Sequence, residues 1–393
     1  MNLSSLKNDW QFEHGLSLTY RHYPQYPIAS ISINVLGAGE YQESVYQQSH
    51  LLEHLVYMAM KPRFSNEPDV YMSAQTNLES AQYTCRLPAS KVTSFINCFE
   101  RATQDPDTFS SEMIKREKQA VKNELSKPVD ALNKMLPLLG WAQGVQENWP
   151  AFDALDDNQL ASRCQSAYVS HKIHIEVAGN LSTSEREQLI LACTQLDRQL
   201  QGYQDKSVGT VTTMQANRLV VSEDKRLVGY FCDLPSGNVN TYLMMACAYH
   251  LFHAPTNLSL YHKLRFEKGH IYNLIRSYHL FDGRGQFALF AQVQPESCDE
   301  VVREVTRFFS QDGAALLDEY LPWAAKKCLS SQMLFMETLS EVTKRASQYY
   351  VNFHRSMDEA DFYQYLQPGN LNTVFTDIQN NFFNQKLEVV GHD

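Results

Sequence analysis

The sequence predicts an α+β protein of two tandem, homologous domains, each a mostly antiparallel sheet with helices on one face. Three observations lead there. The chain has 393 residues, more than the roughly 250–300 over which a single hydrophobic core keeps growing. Two alternating segments, 172–179 and 386–391, each end in glycine and lie 212 residues apart, so one closes a first half and the other closes the second. Each half also opens alike: a strand-like run, 29–36 or 227–234, enters a glycine-containing turn, 37–39 or 235–237, and then a helix-like stretch.

The elements follow in chain order. Residues 47–60 read as a helix stopped by Pro62, and 111–126 as a second, with cap candidates at Ser110 and Ser111 and a stop at Pro128. Strand 172–179 ends the first domain, 1–198. Residues 199–216, rich in Gln, Thr, Ser and Gly, form the expected linker, and 217–393 the second domain. Asp282-Gly283 between 271–281 and 286–294 signals a hairpin.

Composition narrows the classes of function. With 44 Asp+Glu against 34 Lys+Arg and a net charge of −10, a nucleic-acid groove is not expected as the main surface. A hydrophobic content of 44% at 20% charged excludes a disordered or collagen-like chain. No run reaches the ~18–20 apolar residues of a membrane span, and residues 1–15 carry neither a basic nor an apolar signal region. The expectation is a soluble, cytoplasmic protein with no membrane or nucleic-acid partner. Eight scattered cysteines without a CxxC argue for reduced, buried thiols rather than a disulfide framework or a thiolate zinc site.

Chemistry concentrates in the first helix, which reads His50-Leu51-Leu52-Glu53-His54. Histidines at i and i+4 project from one face about 5–6 Å apart and can converge on one ion. Glu53 flanks that face, where a carboxylate can deprotonate a water without being a ligand. This is the inverted zincin pattern H-x-x-E-H, expected by chance on the order of 0.02 times in a chain with this many histidines. His171/His174 and His250/His253 share an i, i+3 spacing without such an acid. The competing reading is a solvated helix in which Glu53 is an ion-pair partner.

A third ligand is available on the second helix. Ile114, Glu117, Val121 and Glu124 recur at spacings of 3, 4 and 3, so two acids share a stripe that should face inward. Buried carboxylates need a cation or donors waiting. Alternatively the stripe is a solvated edge whose acids pair with Lys118 and Lys122.

These residues resemble the M16 metallopeptidases, the family of pitrilysin, insulin-degrading enzyme and mitochondrial processing peptidase, in a short bacterial-type chain. The family pattern is HxxEH followed by a helix with two glutamates seven apart; here Glu124 follows His54 by 70 residues, and Lys115 to Leu125 looks like that helix. The resemblance implies one zinc per chain held by His50, His54 and Glu124, with Glu53 as the catalytic base and Glu117 orienting the ligands. Residues 73–83 look like the family's edge strand, which takes substrate by β-addition and so makes Ser73, Ala74 and Thr76 candidate substrate contacts. The chain departs in having Ser73 where Asn is usual and no Gly shortly after the zinc helix. Leu264-Arg265-Phe266-Glu267-Lys268-Gly269-His270-Ile271-Tyr272 is similar to the family run whose Arg and Tyr hold the substrate carbonyl, which implies that role for Arg265 and Tyr272.

The resemblance covers nearly the whole chain and implies a zinc-dependent endopeptidase that hydrolyses unfolded peptides in an enclosed chamber. The family builds that chamber from four such domains, and this half clamshell has two. A homodimer, or a heterodimer with a related subunit, is therefore expected. Two alternatives stand beside it: a processing peptidase trimming a leader peptide with a partner, and a non-catalytic peptide-binding or scaffold homologue.

Overall fold

The computed structural model describes residues 6–40, 43–77, 79–104, 109–125, 147–202, 217–222, 226–234, 237–281, 284–334, 338–358, 360 and 364–391. The chain divides into two compact units, the first within 1–128, 143–210 and 336–356, the second within 211–335 and 357–393.

In the first unit, strands β1 (Leu6–Gln11), β2 (Ser17–His22), β3 (Ile28–Leu36), β4 (Tyr71–Thr76), β5 (Ser80–Pro88) and β6 (Ile173–Gly179) form one mixed sheet in the order β1-β2-β6-β3-β5-β4. All neighbours are antiparallel except β2 and β6. Strict alternation separates the faces. Leu18, Tyr20, Ile31, Ile33, Ile175 and Val177 are buried in the apolar core. Helices α1 (Gln48–Met60), α2 (Val92–Gln104), α3 (Ser111–Leu125), α4 (Trp149–Ala154), α5 (Asp157–Ala167) and α6 (Thr183–Gln199) add their own apolar residues to that core.

The opposite face of this sheet is polar yet buried: Arg21, Ser30, Ser32, Asn34, His174 and Glu176 are all at most 2% exposed. Burial demands partners, and they are present. Arg21 Nε donates to Glu176 Oε1 at 2.6 Å, and His174 bridges Ser17 Oγ (2.9 Å) and Glu176 Oε2 (3.3 Å).

Further cover on that polar face comes from far along the chain. In the helix Leu339–Phe353, Thr343 meets Ser30 at 2.7 Å and Tyr350 stacks on the His174 ring at 3.6 Å, while Leu339 and Val342 pack on Tyr23 and Ala178. The expected domain 217–393 thus lends this helix to the first unit, because the sheet has a second face to bury.

The second unit holds β7 (Asn217–Val221), β8 (Leu227–Leu234), β9 (Ile271–Phe281), β10 (Arg284–Val293) and β11 (Leu387–Gly391), in the order β11-β7-β8-β10-β9. The strands pair antiparallel except for β11 with β7. Its longer helices are α7 (Val239–Phe252), α8 (Cys298–Arg307), α9 (Gly313–Leu334) and α11 (Leu371–Ile378), α10 being the Leu339–Phe353 helix of the first unit. The core of this unit is aromatic: Phe252 packs edge-on against Phe308 at 5.5 Å and Tyr230 stacks on Phe309 at 3.7 Å.

The order strand, strand, helix follows in both units, as β2-β3-α1 in the first, after an extra leading strand β1, and as β7-β8-α7 in the second. Each closing strand lies parallel to the first strand of that run, β6 to β2 and β11 to β7. The closing strands insert differently. β6 enters between β2 and β3, whereas β11 lies outside β7 and leaves β7 paired directly with β8. The hairpin strands meet as expected, with Arg284 opposite Phe281. Its turn at 282–283, linker residues 203–216, turn residues 235–236, Ser126 and the Pro128 stop lie outside the described residues. All eight cysteines are buried and free. No helix among the described residues is long and apolar enough to cross a membrane.

Candidate metal centre

Helix α1 carries the motif because its apolar face anchors it: Leu51, Leu52, Leu55 and Val56 are fully buried against the sheet. That fixes the helix rotation and leaves His50 and His54 half-buried on the neighbouring face. Glu43 secures the N-terminus, its Oε1 and Oε2 accepting the backbone N–H groups of Gln47 (2.8 Å) and Ser49 (3.1 Å), donors that the helix itself leaves unpaired. Ser110 Oγ caps α3 by accepting from the Met113 N–H at 3.2 Å, and buried Ile114 and Val121 turn the Glu117 and Glu124 stripe toward α1.

Three donors converge. His50 Nε2 lies 3.8 Å from Glu124 Oε2 and His54 Nε2 lies 3.5 Å from it, and all three ligand atoms fall within 4.8 Å of one another. A tetrahedral zinc with bonds of about 2.0–2.1 Å sets its donors roughly 3.3–3.4 Å apart; the His54–Glu124 spacing of 3.5 Å is close to that and the His50–Glu124 spacing of 3.8 Å is somewhat wider. Two imidazoles and a carboxylate are also a donor set that zinc accepts with a position left for water. The residues fit the ion.

The surrounding groups orient these donors. Glu117, only 5% exposed, accepts from His54 Nδ1 at 3.2 Å and from Arg116 Nε at 2.9 Å. His50 Nδ1 lies 2.8 Å from Gln47 Oε1. Each imidazole therefore has an oxygen at Nδ1 and turns Nε2 to Glu124. The lysine-paired alternative does not hold: Lys118 Nζ donates to the carbonyls of Asp153 and Leu155, and Lys122 Nζ pairs with Asp153. Glu124, with its side chain 57% exposed, has the imidazoles as its partners among the described residues.

Glu53 is 5% exposed, and Thr76 Oγ1 donates to its Oε2 at 3.4 Å. Burial pushes its carboxyl up to about 7, against the opposing pull of His54. Burial likewise drives His50 down to about 4, with His54 adding to the shift and Glu124 opposing it. The imidazole is thus neutral near pH 7, the state a metal needs.

The substrate candidates lie on β4, the last strand of its sheet among the described residues. Asn77 N–H donates to Ser80 O at 2.8 Å, and the register alternates from there. By that alternation Ser73 and Gln75 bond to β5, while the main-chain groups of Met72, Ala74 and Thr76 face the free edge. Tyr57 Oη reaches Met72 O there, at 3.5 Å. Ser73 is tied to β5 through its side chain as well, 2.6 Å from Thr84 Oγ1.

Arg265 and Tyr272 belong to the second unit. Arg265 stands on a π-helical turn, Lys263–Glu267, of a kind that recurs at functional sites. Gly269, at φ +69, makes the left-handed turn into β9. The Arg265 guanidinium lies over the Tyr272 ring at 4.8 Å, and Tyr272 is 80% exposed. The pair is together and accessible. Sequence reasoning missed Gln47; its signal, a position three residues before His50 at the helix start, is legible only once its backbone conformation is known.

No protein-family model matches the sequence, and neither does any curated protein. Solved structures do match the fold over nearly all of both chains. A peptidase M16 inactive domain from Pseudomonas fluorescens aligns with TM-score 0.76 at 14% identity, covering 98% of each chain. A protease from Helicobacter pylori aligns at 0.75 and 12%, covering 99% of this chain and all of that one. A chain of complex III2 from Candida albicans, with Inz-5 bound, aligns at 0.72 and 12%, covering 96% of this chain and 94% of that one. The fold is M16-like, and it is shared by a protease, an inactive domain and a chain of complex III2, so activity has to be argued from the site.

Proposed function

We propose that this chain is a zinc-dependent endopeptidase of the M16 type that cleaves unfolded peptides within an enclosed chamber. The observation that carries the reading is the convergence of His50, His54 and Glu124 beside a buried Glu53 and a free strand edge. Zinc held by those three residues would supply Lewis acidity toward a water and the scissile carbonyl.

The rest falls to side chains and main chain. Glu53 takes a proton from the attacking water and returns it to the departing amine. Ala74 and Thr76 offer main-chain groups to an extended peptide, an affinity that is largely independent of sequence. Ser73 serves by holding β4 to β5. Arg265 and Tyr272 are assigned to the developing oxyanion on the strength of the motif resemblance, each donor worth about 3–4 kcal/mol of barrier. A chain of complex III2 among the neighbours supports pairing with a partner, a second copy of this chain or a related subunit. Eight buried, free cysteines suit a reducing compartment such as the cytoplasm.

The inactive domain among the structural neighbours favours one competing reading, a peptide-binding or scaffolding subunit. Incubating zinc-loaded protein with a mixed oligopeptide library, and reading products by mass spectrometry alongside its size in solution, separates the two. The proposal expects internal cleavages in flexible peptides, intact folded proteins and one zinc per chain. No cleavage at full zinc occupancy would favour the scaffold.

A further inference from the structure

Gln47 is one of two non-glycine residues with positive φ among the described residues, at φ 59 and ψ 17, the left-handed region that disfavours a residue with a Cβ. It is also 6% exposed and stands at the cap position of the helix bearing the metal-site histidines. Such an outlier persists only where its surroundings over-determine it. Here Glu43 Oε1 accepts its N–H at 2.8 Å, its own carbonyl accepts the Leu51 N–H at 3.0 Å, and its amide oxygen meets His50 Nδ1 at 2.8 Å.

We propose that Gln47 is a positioning residue that fixes the Nδ1–H tautomer of His50 and so presents Nε2 to the ion. The inference rests on the metallopeptidase reading of the site. With the Gln47 amide oxygen, an acceptor only, facing the ring, the proton sits on Nδ1 and the lone pair on Nε2. Glu117 provides the same oxygen to His54 Nδ1 at 3.2 Å. The two ligands are thus preset by different acceptors, one from the neighbouring helix and one from the cap of their own helix. The left-handed backbone lets a residue three positions before His50 turn its side chain back to it.

The test uses two substitutions. Gln47→Gly removes the acceptor while relieving the backbone, and Gln47→Glu keeps an oxygen acceptor at the same place. Long-range 1H–15N spectra of the metal-free protein should report His50 protonated at Nδ1 in the wild type and at Nε2 to a substantial extent in Gln47→Gly. Zinc affinity, measured by chelator competition, should fall 10–100-fold in Gln47→Gly and stay near wild type in Gln47→Glu. The metal-free melting temperature of Gln47→Gly should be unchanged or higher, which a merely structural role would not give. A wild-type His50 protonated at Nε2, or a Gln47→Gly variant binding zinc within twofold of wild type, overturns the proposal. If the wild type takes up no zinc, the enzyme reading fails, and the tautomer spectra still decide the role of Gln47.

Discussion

Glu117 illustrates how a buried acid is tolerated. It sits between Ile114 and Val121, with its oxygens engaged by His54 and Arg116. Removing it leaves His54 Nδ1 without that partner, so Glu117→Ala is expected to weaken zinc binding 10–100-fold, measured by chelator competition. Glu43 poses a separate question of pH. Burial raises its carboxyl from 4.5 to about 7, so between those values the folded chain keeps a proton that the unfolded chain releases. The stability this contributes is full below about 4.5 and lost as pH rises through 7. Glu43→Gln should therefore flatten the fall in stability between pH 5 and 8, by on the order of 1–3 kcal/mol, in urea titrations of the metal-free protein. Among residues, His50, Glu53 and His54 were legible because helical spacing alone puts them on adjoining faces. Glu124 became specific only through family resemblance, and Gln47 stayed hidden because nothing in its side-chain type announces a left-handed backbone.

At the scale of elements, the β4 register makes a sharp distinction. The main-chain groups of Ala74 face the free edge and those of Ser73 do not. Ala74→Pro removes an N–H that the sheet does not use, a substitution edge strands tolerate. It should raise KM for peptides several-fold while leaving zinc affinity unchanged; an unaltered KM would rule out strand addition at this edge. Helices α1 and α3 followed from cap and stop residues, and the β9–β10 hairpin from the Asp-Gly dipeptide between two strand-like runs. The placement of the closing strands did not, since β6 and β11 read alike along the chain yet enter their sheets at different points. Which gap a parallel strand fills depends on long-range packing rather than on local pattern.

At the scale of the whole molecule, helix α10 joins a unit from which more than a hundred residues separate it. Sequence continuity assigned it to the second domain, and only the buried polar face of the first sheet explains why it leaves. Leu339, 4% exposed on Tyr23 and Ala178, should carry real weight there. Leu339→Ala is expected to cost about 2–5 kcal/mol, read by denaturant unfolding monitored from a probe in the first unit. A loss seen only in the second unit would contradict that placement.

Metal, base and peptide bond meet at Glu53, and Glu53→Gln separates catalysis from metal binding. Wild type and variant, each loaded to one measured zinc per chain, are compared for turnover of one flexible peptide. Equal zinc content and a kcat lower by about 10²–10⁴-fold in the variant are expected if Glu53 is the base; turnover that survives the substitution at full zinc occupancy would mean that it is not.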